Sequence, residues 1–190
     1  ELARCCLART LLSYNGQPTA DGGTVRRPDL ATELPAVSTD GLTWTFRLKH
    51  GLHYASPYED AEIVARDVIR GIEHSVSPDA EDYYGSLYQV IAGAQAFADG
   101  KADSISGLEA PDPYTLVVHL SKPTGDLGHR FVFPEYAPIP EEAATGHEKD
   151  LPSFIAPSGP YVIETDSEES LTLVRNLAWD PAADDLRAAY

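Results

Sequence analysis

The chain has 190 residues, enough for one or two domains and for a sizeable buried core. Hydrophobic residues make up 43% and charged residues 23%, yet thirty Asp and Glu oppose fourteen Lys and Arg, a formal net charge of −16. Such a surface repels phosphate backbones and anionic lipid headgroups, which argues against nucleic acid as a partner and says little about a specific ligand.

Leu2 to Tyr14 reads as a helix running into a short extended piece. Its adjacent Cys5 and Cys6 are expected to be two small buried helix residues, because a bond between neighbours would be strained. Arg4 and Arg9 interrupt the only apolar stretch near the start, so no secretory signal is read there. Leu2-Ala3-Arg4-Cys5 has Arg4 where a lipoprotein attachment box needs a small residue. The chain holds no Met, so a natural N-terminus further upstream is expected. The longest apolar run, Val90 to Ala98, contains Gln95 and is too short to span a bilayer.

Asn15-Gly16 signals a turn, followed by a polar loop from Gln17 to Arg27. Leu42, Trp44, Phe46 and Leu48 alternate with Thr43, Thr45, Arg47 and Lys49, the period of a strand with one buried face. Gly51 closes it. Glu62 to Ser75 is a predicted helix, with Ala65, Val68, Ile69, Ile72 and Val76 in one stripe and Asp60 as its expected N-cap. The strand face and the helix stripe should pack on each other. Ser77-Pro78 stops the helix, and the acidic run Asp79 to Asp82 precedes Tyr83, Tyr84 and Tyr88.

A second helix is expected over Tyr88 to Asp99, capped by Gly100. Asp112-Pro113 is a turn, and Leu116, Val118 and Leu120 mark a second alternating strand. Pro134, Pro138 and Pro140 punctuate an extended stretch. Pro160 to Glu164 and Leu171 to Arg175 read as a hairpin around the acidic loop Asp166 to Glu169. Trp179 to Tyr190 reads as a polar tail. The mixture of strands and helices gives an α/β or α+β class.

No motif carries catalysis. There is no Gly-x-Ser-x-Gly, no phosphate-binding loop and no dinucleotide fingerprint. His50 and His53 have the spacing His-x-x-His, but they straddle Gly51 after a strand, a poor setting for a metal ion. Asp180, Asp184 and Asp185 match a calcium loop in composition only, lacking its mid-loop Gly and closing Glu, and are expected to form a solvated acidic tail. No metal and no cofactor is expected.

The order of motifs is more telling than any one of them. Pro28-Asp29-Leu30-Ala31 leads to Asp40-Gly41-Leu42-Thr43-Trp44-Thr45-Phe46-Arg47-Leu48-Lys49-His50-Gly51, and Ala65-Arg66-Asp67-Val68-Ile69 opens the helix. Ile105 to Leu120 runs from a turn into a strand, Ser158-Gly159-Pro160-Tyr161 forms a Gly-Pro-Tyr turn, and Leu173 to Trp179 follows. In this order the motifs resemble the family 5 extracellular solute-binding proteins, the receptors of peptide-type and nickel-type ABC importers. Two departures stand out. Leu177 occupies a place where Pro is usual, and the loop Tyr58 to Val64 lacks the family's Gly.

The resemblance implies a class II periplasmic-binding-protein-like fold, of which this chain is a fragment: a small extra α/β domain plus an incomplete first lobe. Residues 1–10 would be a helix of, or bordering, the first lobe, residues 11–133 the small domain, and residues 134–190 the return into the first lobe. A first strand would precede Glu1, and the second lobe would lie outside the chain. The resemblance also implies that Tyr83, Tyr84 and Tyr88 face a ligand, the alternative being that they pack the edge of the small domain; Tyr14 is a further candidate.

The function implied is the extracytoplasmic substrate-binding component of an ABC importer. It would capture an oligopeptide or similar small solute and deliver it to the permease without making or breaking bonds. A monomer is expected, periplasmic or held at the cell surface as a lipoprotein; the Ala-, Asp- and Arg-rich, Lys-poor composition fits a GC-rich Gram-positive bacterium. The alternatives are a structural module without ligand affinity, because half the cleft is absent, and a hydrolase of unknown type.

Overall fold

The alternating run around Trp44 lies inside a four-stranded antiparallel sheet, built around one long helix. A computed structural model describes residues 2–78, 85–145 and 155–187. The strands are β1 (Leu12–Ser13), β2 (Arg27–Pro28), β3 (Ala36–Val37), β4 (Thr43–Arg47), β5 (Leu108–Asp112), β6 (Thr115–His119), β7 (Tyr161–Asp166) and β8 (Leu171–Arg175). The α-helices are α1 (Ala65–Val76), α2 (Ala94–Ala98), α3 (Leu127–Arg130) and α4 (Glu141–Thr145). The central sheet runs β3-β4-β6-β5; β1 pairs with β2, and β7 with β8.

Pairing of β4 with β6 sets Trp44 opposite Val118 and Phe46 opposite Leu116. Side chains on a strand alternate faces, so this register collects the apolar residues on one side. Phe46, Leu48, Leu116 and Val118 are buried there with Val68, Ile69, Ile72 and Val76 of α1. Trp44 is only 7% exposed, as the alternation requires. Leu42 is half-buried at the margin of the same cluster. On the outer face, Arg47 donates to the Thr115 hydroxyl across the β4–β6 pair at 2.8 Å.

The helix stripe is as expected, but the helix begins later. Glu62 and Ile63 are extended: Ile63 N–H donates to Leu52 O at 2.7 Å, and the Glu62 carboxylate accepts from Gly51 N–H at 2.5 Å and Tyr114 O–H at 3.0 Å. These bonds hold the segment out of the helix, so Asp60 is not its cap. Val64 takes the N-cap position, and the Asp67 carboxylate reaches back to the Val64 N–H at 3.1 Å. That is the acidic half of a capping box.

The single helix expected over Tyr88–Asp99 is replaced by two short pieces, a 3-10 turn Gly85–Tyr88 and α2. The residues between them serve the sheet instead. Ile91 bridges to Leu120, Val90 O accepts from Ser121 N–H, and Gly107 N–H donates to Ala92 O. Gly93 then turns the chain at φ +82°, a conformation glycine adopts without strain. The strand β5, absent from the sequence reading, pairs β6 through a bulge between Glu109 and Asp112. Its sequence Leu-Glu-Ala-Pro-Asp carries little strand propensity; the hairpin partner imposes the conformation.

A 3-10 turn at Pro134–Tyr136 crosses α1 at close range, where a Cβ on Gly71 would run into the Ala137 carbonyl. The Ser75 hydroxyl donates to Glu135 O at 2.6 Å, fastening the same crossing. A second, smaller buried cluster gathers Leu30, Leu52, Tyr54, Ile63 and Ala156. The β7–β8 hairpin forms where expected and is closed at its base by Asn176, which donates to Gly159 O at 2.8 Å. Ile163, Leu171 and Val174 stay exposed on it.

Two further expectations are corrected. Cys5 and Cys6 are not a buried pair: they are joined by a disulfide, with Cys5 exposed and Cys6 half-buried. Their helical turn, Ala3–Leu7, is one turn long and docks through the Leu7 carbonyl, which leaves Cys5 on the outside. Nor are all three aspartates of the final segment solvated. Asp180 and Asp185 are exposed, but Asp184 is 3% exposed and lies inside an ion network.

Candidate ligand-facing surface and its supporting ion network

Tyr14 follows β1 and is half-buried against the main core. Its hydroxyl lies 2.8 Å from His129 Nδ1 on α3, and the two rings are 6.3 Å apart. The Leu12 N–H donates to Phe131 O at 3.2 Å, so β1 is tied to the end of the same helix. Asp126 holds Arg130 with both carboxylate oxygens at 3.1 and 3.2 Å, and Arg130 also donates to the Leu87 carbonyl. Through Arg130, α3 grips the segment carrying Tyr88.

Tyr88 is fully buried. Its ring meets Phe131 edge-on at 5.5 Å and Tyr136 at 4.0 Å, and Phe131 in turn meets Phe46 at 4.8 Å. Edge-to-face aromatic contacts of this kind add to the burial of the rings. Gly85 lies against the Ser75 carbonyl, which fixes where the segment enters the core. Tyr83 and Tyr84 lie outside the described residues. Of the four tyrosines singled out in the sequence, Tyr14 and Tyr88 are thus brought onto one support, residues 127–136, by His129 and Phe131.

The histidine pair diverges. His50 stacks on Tyr114 with ring centroids 3.7 Å apart, whereas His53 Nδ1 is 3.0 Å from Glu59 O. Among the described residues no three His, Cys, Asp or Glu side chains converge as metal ligands, and no helix is long and apolar enough to cross a membrane. A water-sized recess opens between Arg9, Leu52, His53, Ser158 and Trp179, far smaller than a peptide.

Beneath that recess lies the feature that sequence reasoning missed. Arg9 and Asp29, 2% and 1% exposed, pair at 2.8 Å through Arg9 Nε. Arg187 holds both oxygens of Asp29, at 3.1 and 2.7 Å, and donates to Asp184 at 3.0 Å. Asp184 also accepts the Trp179 indole N–H at 3.0 Å. Further donors of the network are used as well: Arg9 Nη2 reaches Asp29 O and Ala183 O, each at 3.0 Å, and Thr10 N–H reaches Asp29 at 3.3 Å. Buried charge is tolerated only when paired and hydrogen-bonded in this way.

Burial alone would raise the Asp29 carboxyl, but Arg187 and Arg9 outweigh it and hold the group below its ordinary value. Burial likewise pulls on Arg187, and Asp29 and Asp184 overcome it and hold its proton more firmly. The sequence offered a faint signal: Arg9 interrupts an apolar stretch, and Asp29 stands between Pro28 and Leu30.

A profile described as "Bacterial extracellular solute-binding proteins, family 5 Middle" matches residues 26–188. The chain is 27% identical over 154 residues to the oligopeptide-binding protein AmiA of Streptococcus pneumoniae serotype 4, covering 76% of this chain and 23% of that protein. It is 28% identical over 130 residues to the periplasmic oligopeptide-binding protein OppA of Escherichia coli K12, covering 66% of this chain and 23% of that one. Among solved structures, the clavulanic acid biosynthesis oligopeptide binding protein 2 superposes with a TM-score of 0.83 at 30% identity, over 98% of this chain and 34% of that chain. The chain therefore spans about a quarter of the length of these curated relatives and about a third of this solved structure.

Proposed function

Because the chain belongs to the bacterial extracellular solute-binding proteins, family 5, we propose that it is part of an extracytoplasmic receptor that captures oligopeptides for an ABC permease. The observation that carries this reading is the superposition of 98% of the chain, at 30% identity, on a protein named for oligopeptide binding. Capture needs no bond-making step. Selectivity would come from two lobes closing on the peptide, each contributing contacts.

In this reading residues 11–133 form the small domain, and residues 134–190 return into the first lobe. The larger buried cluster, running from Leu11 to Tyr136, supports that division. Tyr14, Tyr83 and Tyr84 supply ligand-facing aromatic surface. Tyr88 sits wholly inside the chain, which favours a supporting role: it anchors residues 85–88 on the core. The ion network joins residues 8–10, residue 29 and residues 183–187, and so holds the lobe portion to the start of the small domain.

The test is to purify the whole gene product carrying these residues without denaturation, extract it with acid, and identify what is released by mass spectrometry. Release of oligopeptides in amounts approaching one per protein supports the reading. Release of a metal or a non-peptide solute in that amount overturns it.

A further inference from the structure

The structure assigns to Cys5–Cys6 a reversible thiol–disulfide site whose oxidation state controls how the first helical turn docks on the corner before β7. This site stands on its own geometry, independently of peptide capture.

A disulfide stabilises a fold chiefly by closing a loop, and adjacent residues close almost none. The Cys5–Cys6 bond therefore does little to hold distant parts of the chain together. What it does constrain is the peptide between the two residues, which becomes part of an eight-membered ring. The backbone directions at Cys5 and Cys6 are set by that ring. The next carbonyl along, Leu7 O, is the docking point of the turn. It accepts from Ser158 N–H at 2.8 Å and from Gly159 N–H at 2.9 Å.

The fit at this corner is close. A Cβ on Gly159 would stand 2.5 Å from the Cys6 carbonyl oxygen and 3.0 Å from the Leu7 carbonyl carbon. Ser158 is buried, and its hydroxyl accepts from Arg9 N–H at 2.9 Å. A change in the backbone at Cys6 therefore moves the wall against which Gly159 rests. Gly159 is also where the β7–β8 hairpin is anchored, through the Asn176 side chain.

Access and a partner for the reduced state are both present. Cys5 is exposed, and exposed disulfides are the labile ones. The Cys5 sulfur lies 3.4 Å from Leu2 O. In the disulfide that sulfur has no proton to give; as a thiol it can donate to this carbonyl. The reactant class is a dithiol. One thiolate of the dithiol attacks the Cys5 sulfur, the Cys5–Cys6 bond breaks, and the Cys6 thiolate leaves and takes up a proton. The second thiol of the reagent then loses its proton and attacks the mixed disulfide, releasing Cys5, which is protonated in turn. The protein gains two electrons and two protons, and the dithiol is oxidised to its own disulfide.

The test uses the whole gene product carrying these residues, purified without reductant, with dithiothreitol as the probe. Iodoacetamide should label neither Cys5 nor Cys6 before reduction and both after it, read by mass on the peptide that contains them. Amide hydrogen exchange at Ser158 and Gly159 should accelerate about tenfold on reduction, while that at Trp44 and Phe46 stays unchanged. The double variant Cys5→Ser, Cys6→Ser should exchange at the reduced rate with or without dithiothreitol. Alkylation before reduction, or equal exchange at Ser158 and Gly159 in the two states, overturns the assignment. If the double variant does not fold, the wild-type series decides alone.

Discussion

Arg187 grips Asp29 across 158 positions of sequence, with its two terminal nitrogens 3.1 and 2.7 Å from the two carboxylate oxygens. Both side chains are almost wholly removed from water, and Arg9 holds Asp29 from the other side at 2.8 Å. One carboxylate thus serves two guanidinium groups, and Asp184 balances the second positive charge. This pairing brings together three stretches of chain that share no secondary structure.

Removing one member leaves a buried charge without compensation. Arg187→Ala should therefore destabilise the fold by roughly 3–5 kcal/mol, read as a lower urea midpoint. Exposed ion pairs behave differently. Lys101→Ala breaks a solvent-facing pair with Asp99 and should cost less than about 1 kcal/mol. Equal losses in the two variants would contradict the role given to the network.

The network also sets an acid limit. Asp29 is held below its ordinary value of 3.8, so the folded state binds its proton less readily than the unfolded chain. Its contribution is then complete above that value and is lost as pH falls through the lower folded value. Asp67 has the opposite sign. Burial raises its carboxyl, and the Val64 N–H, Tyr54 hydroxyl and Arg70 offset this only in part. Its charge therefore weakens the fold as pH rises from 3.8 through the raised value. Urea midpoints measured below about pH 4 should fall more steeply for the wild type than for Asp29→Asn, which is less stable at neutral pH. Identical acid slopes would show that Asp29 carries none of the dependence.

The two inner strands of the central sheet, β4 and β6, and the body of α1 were legible in the sequence because period two and a single helical stripe both survive burial of one face. Trp44 and Phe46 of β4 and Val68 and Ile72 of α1 illustrate this. The hairpin β7–β8 was legible from its two alternating runs and the acidic loop between them. The start of α1 was not, because the Glu62 carboxylate and the Ile63 N–H are taken by Gly51, Tyr114 and Leu52, partners far from the helix in sequence. β5 was missed for the same reason: its partner strand, not its own residues, makes it a strand. At the candidate site, the Tyr14–His129 contact and the Asp29 network join positions more than a hundred residues apart, and no local pattern encodes such pairs.

Phe46→Ala should cost roughly 3–5 kcal/mol, since its fully buried ring meets Phe131 and has no route to water. Val37→Ala, on the exposed edge strand β3, should change stability by no more than about 0.5 kcal/mol. Chemical unfolding of the two variants side by side checks the assignment of the core.

Tyr14→Phe removes only the hydroxyl that meets His129. A loss of about 0.5–1.5 kcal/mol is expected, and a double-mutant cycle with His129→Ala should show the two changes to be non-additive. Additivity would place the contact outside the support of α3.

The central claim is peptide capture. Calorimetric titration of defined oligopeptides into the whole gene product carrying these residues, stripped of endogenous ligand, tests it most directly. The account predicts saturable binding of one peptide per protein, the peptide recovered intact, and weaker binding after Tyr83→Ala and Tyr84→Ala. Absence of binding by a folded protein across peptides of varied length and sequence, or recovery of the peptides cleaved, would contradict it.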